Sequence, residues 1–156
     1  MKITIITVGK VKESYFKEAI DEYSKRIKAY TNFNKIELSD EKIIESKPDF
    51  IIKNKEAEKI LKVVNVDSYK VAMTELGNHF TSSTFAYFIQ KLQDKGCSEI
   101  SFIIGGALGL GDTVINKSDS QIALSKMTLP HQMAQLFLIE QIYRSFKIIN
   151  HEPYHK

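Results

Sequence analysis

The segment EISFIIG, at Glu99–Gly105, decides the fold class of this chain. Its apolar residues do not alternate strictly with polar ones, so the strand that it predicts has both faces buried. Such strands are typical of parallel sheets that carry helices on both sides. The segment therefore predicts the centre of an α/β fold.

Strands and helices alternate on both sides of this segment. Further strands are predicted at Lys2–Val8, Phe33–Leu38, Lys70–Glu75 and Ser120–Leu124. Apolar spacing and capping residues predict helices from Ser14 through Tyr30, over residues 50–64, from Ser82 or Ser83 to Gly96, and from Pro130 to Ile149. The alternation predicts a single domain, residues 1–156, in which about five mostly parallel strands are flanked by helices.

A glycine-rich loop follows the central strand directly. Four of the seven glycines of the chain lie in it, at Gly105, Gly106, Gly109 and Gly111. Ligands gather at the carboxyl ends of parallel strands, and glycine lets backbone approach a ligand closely. A cofactor loop and a flexible turn are both open interpretations. The dinucleotide pattern G-x-G-x-x-G fails, because its third glycine would fall at Val114, and a P-loop is absent.

Two later segments concentrate further candidate residues. LSKMTLPH, at Leu124–His131, offers backbone groups and then a helix start, with His131 in the first turn. NHEPYHK, at Asn150–Lys156, holds two of the four histidines. A solvated tail and a tail folded over a site are the alternatives. Because Pro153 separates the two histidines, they cannot share an ordinary helical face, and no metal site is predicted.

Composition excludes several classes. The 156 residues include one cysteine and 43% apolar residues, which favours an ordinary cytoplasmic globular protein over a disordered or disulfide-rich one. No apolar run reaches the roughly 18 residues of a membrane span. The net charge of +3 is too mild to indicate nucleic acid by itself. Residues 97–156 hold five basic and five acidic groups, so we expect any attraction to nucleic acid to come mainly from lysines of residues 1–96.

The chain resembles a known family in four motifs. These are IGGxxGL at Ile104–Leu110, LSxMTLPHQM at Leu124–Met133, LIEQIYRSFKI at Leu138–Ile148 and the closing PYHK. Together they resemble the RlmH family of the SPOUT superfamily, the pseudouridine N3-methyltransferases of large-subunit ribosomal RNA. The resemblance implies a C-terminal trefoil knot in about residues 100–156 and a homodimer with a composite active site. It also implies S-adenosyl-L-methionine as cofactor and 23S rRNA on the assembled 70S ribosome as substrate, with no membrane and no metal.

The resemblance also assigns residues. The cofactor positions are Leu76, Gly105, Leu124, Ser125, Lys126, Met127, Thr128 and Leu129, and the catalytic candidates are His131, Glu140, Arg144, Tyr154, His155 and Lys156. A general base, or a field that favours the anion, would help the weakly acidic ring nitrogen to react, and His131, Glu140 and His155 are the candidates. Arg144 and Lys156 could hold phosphate or pyrimidine oxygens, and Tyr154 could stack on a base.

Three positions depart from the family pattern. Gln135 stands where arginine is usual, Ala57 follows Lys55-Glu56 in place of glycine, and Leu108 occupies a position that is commonly polar. An arginine at position 135 would be well placed for RNA, so we expect weaker RNA binding here. Two alternatives follow: a non-catalytic homologue that binds cofactor or ribosome only, and a methyltransferase with a shifted RNA substrate.

Overall fold

A computed structural model describes residues 1–155, and strands and helices alternate through them. The strands are β1 (Lys2–Val8), β2 (Asn32–Leu38), β3 (Tyr69–His79), β4 (Glu99–Ile104) and β5 (Ser120–Ala123). The helices are α1 (Ser14–Ile27), α2 (Asp49–Val63), α3 (Ser82–Asp94), α4 (Asp112–Asn116) and α5 (His131–Ile149). The predicted α/β class is confirmed.

All five strands form one parallel sheet in the order β2-β1-β4-β3-β5. Every residue of β4, the central strand, is buried, as its sequence predicts. Helices α1, α3 and α5 pack together over one face, and α2 and α4 cover the other. The parallel order brings the carboxyl ends of all strands, and the loops that follow them, to one edge of the sheet.

Strand β3 runs further than predicted because it contains a bulge. Met73 and Asn78 both pair with Ile122 of β5, so the residues between them protrude from the ladder. Gly77 presses on β5 at this point: a Cβ there would lie 2.5 Å from the backbone nitrogen of Ile122. The bulge ends the regular ladder and projects Leu76 into solvent with 92% of its surface exposed.

The helix starts differ from the predicted ones. Glu13, not Ser14, precedes α1, and Thr81 caps α3 in place of Ser82 or Ser83. The Thr81 side chain accepts a hydrogen bond from the Thr84 backbone, and Thr84 Oγ1 accepts one from the Thr81 backbone. This reciprocal pair satisfies two backbone donors at the helix start. Helix α4 was not predicted, because five residues are too few to establish a helical periodicity.

The last third of the chain crosses the carboxyl edge of the sheet. After β4 it passes to the α2 face, where Leu110 and Val114 are buried, and returns to edge strand β5. Residues 124–130 then lead to α5, which begins beside Gly9 at the end of β1 and packs on the opposite face. This crossing is consistent with the knot that the resemblance implies. Within residues 1–155, no helix combines the length and apolarity needed to cross a membrane.

Candidate active site

The glycine loop after β4 is a closed turn. Gly109 donates its backbone N–H to the Gly106 carbonyl over 3.0 Å and has a φ of +81°. A Cβ on Gly105 would lie 2.6 Å from the Gly109 carbonyl carbon, so a side chain there would force the turn open. The loop thus forms a tight turn at the carboxyl edge, in which a side chain at position 105 is not accommodated.

Helix α2 packs against this loop, a contact that the sequence did not indicate. A Cβ on Gly106 would lie 2.9 Å from Glu56 Oε2, and one on Gly111 would lie 2.9 Å from the Lys53 carbonyl oxygen. The Glu56 side chain is buried, and Oε1 accepts the backbone N–H of Glu41 at 3.0 Å. Burial raises the pKa of the Glu56 carboxyl. Its contacts tie the glycine loop to the segment that follows β2.

Residues Ser125–Leu129 present their backbone to the carboxyl edge. Among the described residues, one hydrogen bond of a backbone group lies within this segment: Met127 N–H donates to Ser125 Oγ over 2.9 Å. Met127 is 78% exposed, and Leu76, in the β3 bulge, is 92% exposed. Backbone donors and acceptors without internal partners, next to exposed apolar side chains, suit a ligand with a polar edge and an apolar face. We call Leu76, Gly105 and Leu124–Leu129, with His131, the loop cluster.

His131 opens α5 and packs against the end of β1. A Cβ on Gly9 would lie 3.1 Å from His131 Nε2, and Gly9 has a φ of +94°, so glycine is needed there for both reasons. The Nε2 atom is buried without a partner among the described residues. One residue later, Gln132 Oε1 accepts the Lys12 backbone N–H at 3.0 Å. These contacts fix the start of α5 on the loop that follows β1.

The end of the chain folds onto the second half of α5. Arg144 donates to Glu140 through Nε and Nη2, and Tyr154 Oη donates to Glu140 Oε1 over 3.0 Å. The Arg144 guanidinium lies 4.7 Å from the centre of the Tyr154 ring, and its Nη1 is 3.4 Å from His155 Nδ1. We call Glu140, Arg144, Tyr154 and His155 the tail cluster.

The tail cluster perturbs its own titratable groups. The hydrogen bonds that Arg144 donates to Glu140 raise the pKa of the Arg144 guanidinium. Burial raises the pKa of the Tyr154 hydroxyl, and hydrogen bonds with Tyr23 and Glu140 raise it further. Glu140 therefore accepts hydrogen bonds from the charged guanidinium of Arg144 and from the neutral phenol of Tyr154.

Helix α1 contributes to the tail cluster, although no sequence motif pointed to it. Tyr23 Oη lies 3.2 Å from Tyr154 Oη, and the Tyr143 and Tyr154 rings meet edge to face at 4.9 Å. Tyr30 donates to Glu152 over 2.8 Å, and Lys147 forms an ion pair with the same carboxylate. Glu152 and Tyr154 therefore pack against the rest of the protein, whereas His151, Pro153 and His155 are exposed. Lys156 lies outside the described residues.

The tail cluster lies well along α5 from its first residue, His131. Glu140 lies nine positions after His131 on the same helix. At the helical rise this separates their backbones by about 13.5 Å. The structure thus brings the predicted catalytic residues Glu140, Arg144, Tyr154 and His155 together, and it separates them from the remaining candidate among the described residues, His131, at the helix start.

Gln135 is buried. Its side chain is 1% exposed, and Nε2 is buried without a partner among residues 1–155. The glutamine itself therefore offers no surface to RNA, and the weaker RNA binding expected from the missing arginine stays a prediction. Ala57 is also buried, against Gly111 under the glycine loop, whereas Leu108 is half-exposed on the loop itself. Residues 1–155 contain no group of three or more histidine, cysteine, aspartate or glutamate side chains placed to hold a metal ion.

Comparisons with known proteins give the same family as the motifs. A family model described as a predicted SPOUT methyltransferase matches residues 1–155. The chain is 48% identical to a ribosomal RNA large subunit methyltransferase H from Clostridium acetobutylicum and 48% identical to one from Bacillus pumilus, with 100% of both chains covered in each case. A solved structure of a probable methylase family protein from Haemophilus influenzae superposes with a TM-score of 0.54 at 14% identity, covering 99% of this chain and 70% of that one. The chain belongs to the SPOUT methyltransferase family.

Proposed function

We propose that this protein transfers a methyl group from S-adenosylmethionine to N3 of a pseudouridine in large-subunit ribosomal RNA, on the assembled 70S ribosome in the cytoplasm. One observation carries the proposal. The loop cluster and the tail cluster are both intact in a chain that aligns over its whole length with relatives named for methylation of this RNA. The substrate atom and the ribosome come from the family resemblance.

The loop cluster fits the cofactor. Backbone N–H and C=O groups of Ser125–Leu129 can bind the edge of an adenine ring, and the absence of a Cβ at Gly105 keeps the glycine loop closed beside it. Leu76 and Met127 are large apolar side chains with 92% and 78% of their surface exposed, which a bound nucleoside would cover. We assign Leu76, Gly105 and Leu124–Leu129 to cofactor binding.

A homodimer would join the two clusters. On one face of α5, at helical spacing, lie Met133 and Phe137, each 42% exposed, then Glu140 and Arg144. Phe137 also lines a cavity with Leu124 of the loop cluster. Two such helices packed antiparallel about a two-fold axis would place the apolar half of each beside the polar half of the other. The tail cluster of one subunit would then face the loop cluster of its partner.

The chemistry then divides between the subunits. When bound, S-adenosylmethionine would supply an electrophilic methyl carbon for N3 of the pyrimidine, and the N3 proton would pass to solvent. Donors of the tail cluster stabilise the negative charge that N3 gains on losing its proton. Glu140 already accepts hydrogen bonds from Arg144, Gln141 and Tyr154, so we assign it to positioning and not to proton abstraction.

The remaining candidates have supporting roles. We assign His131 to holding the start of α5 in place, because its Nε2 is buried and its ring packs against Gly9. Tyr154 is enclosed by Tyr143 and Arg144, so it anchors the tail and does not stack on a base. Lys156 would add a cation for rRNA phosphate. Lys10, Lys12 and Lys126 are exposed in the loops at the carboxyl edge and form no ion pair within residues 1–155, so we assign them to phosphate contacts.

A methylation assay tests the proposal. Purified protein is incubated with labelled S-adenosylmethionine and 70S ribosomes from a strain that lacks the N3 methyl group on pseudouridine. We expect label in 23S rRNA, recovered as 3-methylpseudouridine by mass spectrometry, and none in ribosomes that already carry the modification. Absence of transfer would contradict the proposal, and label in a different nucleoside would favour the shifted-substrate alternative. Binding of S-adenosylmethionine or ribosomes without transfer would favour the non-catalytic alternative.

A further inference from the structure

The orientation of His155 relative to Arg144 restricts what this histidine can do. Arg144 Nη1 lies 3.4 Å from His155 Nδ1. A guanidinium has only donors, so Nδ1 must be the acceptor in this hydrogen bond. A neutral imidazole has one N–H and one lone-pair nitrogen, and here the lone pair is already used. The proton is therefore on Nε2, on an exposed side chain at the end of the tail.

A chain of hydrogen bonds holds Arg144 in the position that imposes this tautomer. Tyr23 Oη lies 3.2 Å from Tyr154 Oη, and Tyr154 donates to Glu140 Oε1 over 3.0 Å, so Tyr23 must donate to Tyr154. The same Glu140 oxygen accepts Arg144 Nη2 over 2.6 Å. The Tyr154 ring lies under the guanidinium and against Tyr143, which limits its rotation. Each member thus fixes the next, from helix α1 to the end of the tail.

We propose that His155 acts as a hydrogen-bond donor through Nε2–H and not as the general base, and that Tyr23 and Tyr154 are positioning residues that hold it in this role. This inference rests on the proposed methyl transfer. N3 of a pyrimidine is flanked by two carbonyl oxygens, and these take up the negative charge when N3 loses its proton. A donor aimed at one of them stabilises the anion before the methyl group is transferred.

Three substitutions of His155 separate the two roles. The amide nitrogen of glutamine falls near the place of Nε2, whereas that of asparagine falls near the place of Nδ1. If His155 is a donor, His155→Gln keeps about a tenth of the wild-type kcat, and His155→Asn and His155→Ala lose about a hundredfold or more. Equal loss in all three variants would overturn the donor role, because no amide can act as a general base.

Hydroxyl removal tests the positioning residues. Tyr23→Phe and Tyr154→Phe each delete one oxygen of the chain, and Tyr15→Phe is the matched control on α1, since Tyr15 is 64% exposed and has no contact with the tail. We expect the first two to lower kcat about tenfold with KM for S-adenosylmethionine unchanged, and the control to have no effect. In the His155→Ala background, Tyr23→Phe should cause no further loss. A further loss there, or equal effects of Tyr23→Phe and Tyr15→Phe, would overturn the proposal.

A readout without activity separates this inference from the proposed function. Tyr23→Phe and Tyr154→Phe should accelerate amide hydrogen exchange over residues 150–155 and leave β1 unchanged, whereas Tyr15→Phe should alter neither. If wild-type protein transfers no methyl group but the exchange responds as expected, the proposed function fails and the anchor stands. If exchange in the tail does not respond, the anchor is wrong whatever the activity.

Discussion

At the scale of single residues, Gly105 carries the strictest requirement of the loop cluster. The atoms that a Cβ would meet are backbone atoms of Gly109 and Leu110, at 2.6 to 2.8 Å. Backbone in a closed turn cannot move aside as the end of a flexible side chain can. A side chain at position 105 must therefore open the turn that borders the cofactor positions.

Gly105→Ala should weaken cofactor binding at least about tenfold, which corresponds to about 1.4 kcal/mol. Isothermal titration calorimetry with S-adenosylmethionine measures the change. Ala107→Ser is the matched control, because Ala107 is exposed in the same loop. Unchanged affinity of Gly105→Ala would show that the cofactor does not depend on this turn.

Residue types predicted functional segments where an unusual type recurs within a short stretch. They did not predict contacts that depend on whether a side chain is buried. The glycines of the loop and the polar residues of the tail stood out because their types are unusual in such density. The burial of Gln135 could not be predicted, since a polar residue on a helix ordinarily lies on a solvated face. The contact of buried Glu56 with the glycine loop was missed for the same reason.

At the scale of elements, Glu99 joins strands at the sheet end opposite to the candidate site. This carboxylate starts β4 and accepts Thr4 Oγ1 of β1 at 2.6 Å, Asn65 Nδ2 at 2.9 Å and Lys2 Nζ at 3.2 Å. Burial alone would raise the pKa of Glu99, but these three donors outweigh it and lower the pKa. A carboxylate whose pKa is lowered in the folded state stabilises the fold at pH values above its unfolded-state pKa. This stabilisation is lost as the pH falls through the folded-state pKa.

Glu99→Gln should therefore lower the free energy of unfolding at pH 7 by about 1–3 kcal/mol. The difference from wild type should shrink as the pH falls below the ordinary glutamate pKa of about 4.3. Urea unfolding at a series of pH values measures it, with Glu18→Gln on the exposed face of α1 as the control. A difference that is independent of pH would contradict the role of the ionised carboxylate.

The sequence predicted most elements because their patterns are local. The boundaries of β1 agree, and β4 ends one residue earlier than predicted. The cap of α3 was misplaced among four consecutive hydroxyl residues, since only the contact between Thr81 and Thr84 identifies the right one. The bulge in β3 was missed because it depends on the neighbouring strand β5, which no local pattern records.

At the scale of the whole molecule, the path of the last third of the chain lay beyond local prediction. Rules for chain connections exclude knots, so periodicity and spacing alone would have led away from the knot that the family resemblance implies. The dimer is likewise implied by the resemblance. Within one chain, His131 of the loop cluster and Glu140 of the tail cluster lie nine positions apart on α5, which separates their backbones by about 13.5 Å.

This separation makes a mixed dimer the most direct test of the account. Subunits carrying Gly105→Ala and subunits carrying His155→Ala are expressed together with different tags, and the heterodimer is purified through both. If each site takes its loop from one subunit and its tail from the other, one of the two sites is intact, and the heterodimer should have about half the methylation rate of wild type. At a cofactor concentration that does not saturate Gly105→Ala, both parent homodimers should have much lower rates than the heterodimer. A heterodimer as inactive as its parents would place loop and tail in the same subunit and contradict the composite site.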